Sequence, residues 1–263
     1  MRTTRLFLLL VLACFIFAGC AKAPYTGRSQ LIMMSADEEV ALGAQASQKI
    51  LSEEKTETGT QRSARVERIG KRIAAVAERP EFKWEFHTIP SDILNAFCLP
   101  GGKVFVYTAL IDLTKGDDNE LAAVMGHEIA HAVARHGAER ASQNQMAGLG
   151  QVVTQAAVTI ATGSSAMGEV SGSGYGALAQ LGFLLPYSRT HETEADKIGI
   201  ILAAKAGYDP RAAVTFWEKM AAANKGKEPA AILSTHPLNA QRIADLEKEM
   251  PEALKLYTQQ QKR

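Results

Sequence analysis

The spacing of apolar positions changes period along the chain, and each change marks an element. Ser35 opens a helical stretch with Glu38 in capping-box position, and Val40, Ala44 and Leu51 follow at helical spacing with the small Ser47 on the same face. The polar run 53–62 interrupts this pattern. Val66, Ile69, Ile73 and Val76 restore it until Pro80 ends a second helix. The period then falls to two. Phe82, Trp84 and Phe86 alternate with polar residues, and beyond a Pro100-Gly101-Gly102 turn Val104 and Val106 alternate with Phe105 and Tyr107, which predicts two strands. A strong helix starts at Asp117-Asp118 and runs through Leu121, Val124, Met125, His127, His131 and Val133, its acidic start suiting the helix dipole. Residues 143–185 are rich in Ala and Gly with a Gly-Ser break at 163–176, so helix, loop, helix is expected, as a flap on the substrate side. Gln151, Gln155 and Gln180 keep its apolar runs below the ~20 residues of a membrane span. Further helices are predicted over 190–206, 210–224 and from 240 onward, and no internal repeat is visible.

The first twenty residues stand apart. Arg2 and Arg5 precede an apolar stretch, 6–17, that leads into Ala18-Gly19-Cys20. That stretch is too short to span a bilayer and reads as a secretion signal, residues 1–19. Small residues directly before a Cys resemble the bacterial lipobox, whose Cys is acylated and becomes the mature N-terminus, although Phe17 replaces the usual Leu. Cleavage at Cys14 would leave too little apolar chain ahead of it. Residues 20–34, with Pro24, Gly27 and Ser29 and no apolar period, are expected to be a tether, and 35–263 the folded domain. Ala21 in place of Asp after Cys20 resembles the signal for passage to the outer membrane, so the expected address is that membrane's periplasmic face, held by the lipid. With Cys20 acylated and Cys14 removed, Cys98 is the remaining thiol and no internal disulfide can form.

The 263 residues, 46% hydrophobic and 22% charged, suffice for one domain with a full core. Lys plus Arg (29) nearly balances Asp plus Glu (28), so nothing calls for nucleic acid as a partner. Chemistry must be sought in local motifs. His127-Glu128-Ile129-Ala130-His131 places two imidazoles one helical turn apart on one face, able to hold one ion, with Glu128 beside them as a base for water. The apolar flanks suggest a buried helix, in which two histidines and a Glu without joint purpose would be costly. A catalytic zinc needs a third protein ligand and an open position. Nine residues at 100° each put His136 on the opposite face from His127. The extended HExxHxxGxxH pattern fails at Ala134 and Gly137. A better third ligand lies in the segment 188–196. Glu192 and Asp196, four apart, share a helix face, the first for the metal and the second for the free N–H of a ligand histidine, while Glu194 points elsewhere. An exposed acidic turn and His191 as ligand are the alternatives.

These residues resemble those of the gluzincin peptidases related to HtpX and the CAAX prenyl protease, and among them the small periplasmic lipoproteins. The match runs through 95–102, 120–124 into the HExxH, Ser188-Arg189 with Glu192 and Ala195-Asp196, then Thr235-His236-Pro237 with Arg242-Ile243. The resemblance implies an α+β, mostly α, zincin-like domain with a small β-sheet. It also implies one Zn2+ per chain on His127, His131 and Glu192, with Glu128 as base. The Thr-His-Pro segment lies near the active site in similar peptidases, so His236 is expected either as a latent fourth ligand or as an oxyanion stabiliser, and otherwise as a helix cap. Asn95, Phe97, Gly101 and Gly102 would form an extended edge to which a peptide adds as a strand. The function expected is an endopeptidase for misfolded or misassembled envelope proteins, with unfolded proteins, the membrane and the outer-membrane assembly machinery as partners. The rival is a metal-containing, chaperone-like assembly factor that rarely cuts, and an intact Glu128 argues against it.

Overall fold

The computed structural model describes residues 20–146, 187–224, 230–237 and 240–262. Two compact units appear, one built from residues 1–36 and 137–185, the other from 37–136 and 186–263. The flap expected over 143–185 lies almost wholly outside the described residues. In the first unit, the stretch read as an irregular tether contains an antiparallel hairpin, β1 (Cys20–Lys22) with β2 (Ser29–Leu31). Arg28 explains the order: its guanidinium grips Glu139 through both oxygens, at 2.8 and 2.7 Å, and Gln30 donates to the same carboxylate. Such bidentate pairing lies outside what hydrophobic period can reveal.

The second unit is mostly helical around a small sheet. Helix α1 (Ala36–Glu53) buries Glu39, Gly43, Ala46 and Ser47, so of the expected stripe through Val40, Ala44, Ser47 and Leu51 Ser47 alone is fully buried. Two contacts turn it: Glu39 is paired with Arg135, and Gly43 packs so closely on the Pro100 carbonyl that no Cβ would fit. Helix α2 (Gln61–Ala74) is capped by Thr60 in a reciprocal box with Ser63 and buries Val66, Ile69 and Ile73 completely. It stops short of Pro80, in a turn that includes Glu78 at φ 54°.

Strand β3 (Glu85–Ile89) starts later than the aromatic alternation predicts. Phe82 packs tilted against Trp84 and Trp84 stacks on Phe86, with centroids 5.3 and 6.4 Å apart, so their spacing reflects an aromatic cluster as well as a sheet face. The mixed sheet has the order β3, β5 (Lys103–Tyr107), β4 (Ala96–Leu99), with β3 parallel and β4 antiparallel to β5. Among the described residues β4 is therefore an edge. After the short α3 (Thr108–Leu113) comes α4 (Asp118–Val133), capped by Asp117 and buried at every residue from Glu120 to Val133. Helix α5 (Arg189–Lys205), capped by Ser188, lies along it. Helices α6 (Ala212–Asn224), α7 (Ala231–Thr235) and α8 (Ala240–Gln261) complete the unit. No described helix is long and apolar enough to cross a membrane.

The α4–α5 contact is the most extensive between helices, and glycine permits it. A methyl on Gly126 would stand 2.8 Å from the Gly199 carbonyl oxygen, and one on Gly199 2.9 Å from the His127 nitrogen. Overpacking against backbone costs ~1–3 kcal/mol, against ~1 kcal/mol that alanine gains in a helix. Gly199→Ala is therefore expected to lose up to about 2 kcal/mol in urea unfolding of the metal-free chain. A wild-type midpoint would mean that the helices can part freely.

Candidate metal centre

The crossing places the start of α5 beside the middle of α4. His127, His131, Glu192 and His236 each turn one donor atom into a common space, all within 4.8 Å of one another and all buried. The nearest separations are 3.1 Å between Nε2 of His127 and of His131, 3.3 Å between His127 Nε2 and His236 Nδ1, and 3.0 Å between His236 Nδ1 and Glu192 Oε1. The Glu192 carboxylate is 3.4 Å from His131 Nε2 and 3.5 Å from His127 Nε2. Donors tetrahedrally arranged at ~2.0–2.1 Å from one zinc ion stand about 3.3 Å apart, so both the spacing and the chemistry of the set fit Zn2+.

The surroundings orient these donors. Asp196 Oδ1 lies 2.9 Å from His127 Nδ1, the ring nitrogen facing away from the cluster. Arg242 on α8 holds both Asp196 oxygens, at 2.7 and 2.8 Å, and its Nη1 lies 3.0 Å from Glu192 Oε2. Its guanidinium is 3.6 Å from the Trp217 ring centroid. Arg242 is thus the buried cation facing two buried carboxylates. The chain had shown it as a resemblance residue without a role. A basic residue in a helix of mixed polarity gives no sign that it is buried.

Burial raises the Asp196 and Glu192 carboxyl groups, but their partners lower them by more. Arg242 and His127 carry Asp196 below the ordinary range, and hydrogen bonds from His127, His131 and His236 carry Glu192 below it. For His127, burial and Arg242 push the pKa down, but Asp196 and Glu192 outweigh them and it rises. Burial holds His131 well below the ordinary imidazole value. Glu128 stands beside the donors without being one of them. Burial raises its carboxyl to about 7, against the lowering influence of His236 and with Glu192 adding to the rise, and its Oε1 has no hydrogen-bond partner among the described residues.

Other expected residues are placed differently. His191 is outside the donor set and stacks on His136 at 4.5 Å. His136 is not on the far side of the site. Helix α4 ends at Val133, Arg135 turns the chain at φ 59°, and the imidazole comes back to His131, Nδ1 to Nδ1 at 2.9 Å. Its Nε2 is 2.9 Å from Glu194 Oε2, so Glu194 faces the site's surroundings instead of pointing elsewhere. The rule of 100° per residue fails where the helix stops. Tyr187, unnoticed in the sequence, stacks on His131 at 3.8 Å. On β4, Phe97 stacks on Phe105 at 4.9 Å, and the Asn95 carbonyl accepts from Tyr107 N. Gly101 and Gly102, expected at a substrate edge, are buried in the β4–β5 turn with φ of 76° and 84°, packed on Val40 and Trp84. Their role is the left-handed turn.

Removing the central cation would strand two buried carboxylates, a change that costs ~3–5 kcal/mol. Arg242→Met is expected to lose that much in urea unfolding of the metal-free chain. A loss below ~1 kcal/mol would contradict the pairing.

The chain was compared with known proteins. The mitochondrial metalloendopeptidase OMA1 of Schizosaccharomyces pombe is 44% identical over 189 residues, 72% of this chain and 53% of that protein. Human metalloendopeptidase OMA1, mitochondrial, is 31% identical over 258 residues, 94% of this chain and 49% of that one. The beta-barrel assembly-enhancing protease of Escherichia coli is 35% identical over 180 residues, 67% of this chain and 36% of that one. The chain spans about half the length or less of these three. The likeness expected to HtpX and the CAAX prenyl protease holds at the level of the family and not of those members. The model described as Peptidase family M48 matches residues 60–250, so the chain belongs to that family of zinc metallopeptidases.

Proposed function

We propose that the chain is a zinc endopeptidase that cleaves unfolded or misassembled proteins of the bacterial envelope, held there by a lipid on Cys20. The observation that carries the catalytic reading is Glu128, buried against the donor cluster with one carboxylate oxygen unpartnered and a carboxyl raised to about 7. An unsatisfied buried oxygen is costly, and a pKa near neutrality suits a group that must both accept and release a proton. His127, His131 and Glu192 would hold the ion. When bound, zinc supplies Lewis acidity that polarises a peptide carbonyl and acidifies water. Glu128 takes the proton as the water oxygen bonds to the carbonyl carbon, then passes it to the amine nitrogen as the C–N bond breaks. The edge of β4, unpaired by any strand among the described residues, offers main-chain groups to an extended substrate, which supports recognition of unfolded segments. The envelope assignment is supported by the likeness to the beta-barrel assembly-enhancing proteases and by the lipobox-like Ala18-Gly19-Cys20.

Purified protein is expected to carry about one zinc per chain and to digest casein and an unfolded β-barrel protein until a chelator is added. Glu128→Gln keeps the zinc and loses activity by at least ~100-fold, whereas His131→Ala or Glu192→Ala loses the zinc. Near-normal proteolysis by Glu128→Gln sinks the mechanism. Equal cleavage of the folded and unfolded β-barrel protein removes the substrate class. In fractionated cells, Cys20→Ser should move from membranes to the soluble fraction, and a wild-type protein already soluble excludes the anchor.

His236 Nδ1 occupies a donor position, which favours the latent-ligand reading, because a fourth protein ligand fills the place catalysis needs. On that reading His236→Ala raises proteolysis. As an oxyanion stabiliser, its loss lowers turnover roughly 100-fold with zinc retained. Unchanged activity and zinc affinity defeat both.

A further inference from the structure

The two histidines of the HExxH motif are supported unequally. The outward Nδ1 of His127 meets a carboxylate directly, Asp196 Oδ1 at 2.9 Å. The outward Nδ1 of His131 meets another imidazole, His136 Nδ1 at 2.9 Å, and that ring's Nε2 meets Glu194 Oε2 at 2.9 Å. The rings of His131 and His136 cross at 73°, while His136 lies nearly parallel to His191. All three members of the chain are buried, His136 completely. The turn that delivers His136 holds a non-glycine residue, Arg135, in the left-handed region, and Glu39 fixes it through a 2.6 Å ion pair. A strained turn persists only where its surroundings determine it.

We propose that His136 is the positioning residue for His131, forming with Glu194 a carboxylate–histidine–histidine relay that parallels the direct Asp196–His127 pair. The inference rests on His131 holding the metal through Nε2. The tautomers then follow along the chain. With Nε2 of His131 committed as a donor of electrons, Nδ1 carries the proton and donates to His136 Nδ1. His136 must therefore carry its own proton on Nε2, and it donates that to the Glu194 carboxylate. Every buried ring nitrogen in the relay has a partner of the right kind. Partners of this sort fix the rotamer and basicity of a ligand, and their loss typically weakens metal binding ~10–100-fold. The interposed ring also explains why Glu194, two residues before Asp196 on α5, is buried at all.

The experiment measures zinc affinity by chelator competition, and the absorption bands of the Co2+-substituted protein, for the full chain and four variants. Wild-type protein and Asp196→Asn serve as controls. A wild type that fails to bind zinc overturns the metal assignment itself, whereas zinc binding that responds to Asp196→Asn but not to His136 overturns the relay alone. His136→Phe keeps a ring against His191 but removes the acceptor, and should weaken zinc ~10–100-fold and shift the Co2+ bands. His136→Asn restores an acceptor near the Nδ1 position and should recover to within ~3-fold of wild type, because the bond to His131 survives. Urea unfolding of the metal-free variants separates positioning from simple support of the fold. If His136→Phe does not fold, His136→Asn and Glu194→Leu decide: Glu194→Leu should weaken zinc while His136→Asn does not. Wild-type affinity and wild-type Co2+ bands in His136→Phe, or in Glu194→Leu where His136→Phe is unfolded, would overturn the proposal.

Discussion

Two helices can bring side chains from both into bonding distance of one ion only if their axes come close, and here two glycines permit that. Gly126 and Gly199 face each other where α4 crosses α5, each backbone occupying the place where the other would carry a methyl. The crossing lies immediately before His127 and two turns after Glu192. A larger residue at either position would move the histidines and the carboxylate apart together, because all three sit on long, capped, rigid helices. The geometry of the donor set is thus mainly a property of backbone packing. The donor side chains extend that packing and do not produce it.

Close packing creates an electrostatic problem that the rest of the unit resolves. Glu120, Glu128, Glu192, Glu194 and Asp196 are all at least nine-tenths buried, and uncompensated charges there would cost several kcal/mol each. Lys219 answers Glu120 at 2.6 Å, and Arg242 answers both Asp196 and Glu192. Both cations come from helices outside the α4–α5 pair, so α6 and α8 are bound to the site by charge as well as by apolar contact. Glu128 meets the His236 imidazole, Nε2 to Oε2 at 3.5 Å, and burial raises its carboxyl to about 7.

What the sequence revealed, and what it hid, divides along the difference between local and non-local order. The HExxH spacing, the Asp117 start of α4 and the four-residue interval from Glu192 to Asp196 depend on helical period, which a chain displays openly. Strand β3 was displaced because Phe82 and Trp84 form an aromatic cluster with the same alternation as a strand. The α1 face was mistaken because its buried residues include Glu39 and Gly43, whose reasons for burial, Arg135 and Pro100, lie far along the chain. His136 was lost at the end of α4, since a left-handed Arg135 is invisible to any rule that extends a helix by constant rotation. The glycines at 101 and 102 were legible as a turn but not as buried packing for Trp84 and Val40. In each case the missing information was a partner distant in sequence.

The four donors are not equally anchored. Three belong to α4 and α5, which the glycine crossing locks together, but His236 terminates α7, a helix of five residues. Among the described residues, two backbone hydrogen bonds tie α7 to its neighbours, Ile232 N to the Leu94 carbonyl ahead of β4 and Tyr187 N to the Thr235 carbonyl ahead of α5, and Ile232 and Leu233 are its buried apolar side chains. At about 1 kcal/mol net for each such bond, moving α7 disturbs far less than moving α4 or α5, whose buried faces run their full length. His236 is therefore the least firmly anchored of the four donors. Because Leu94 leads directly into the edge strand, the main chain that an extended substrate would pair with and the helix that carries the movable donor are joined by a single hydrogen bond.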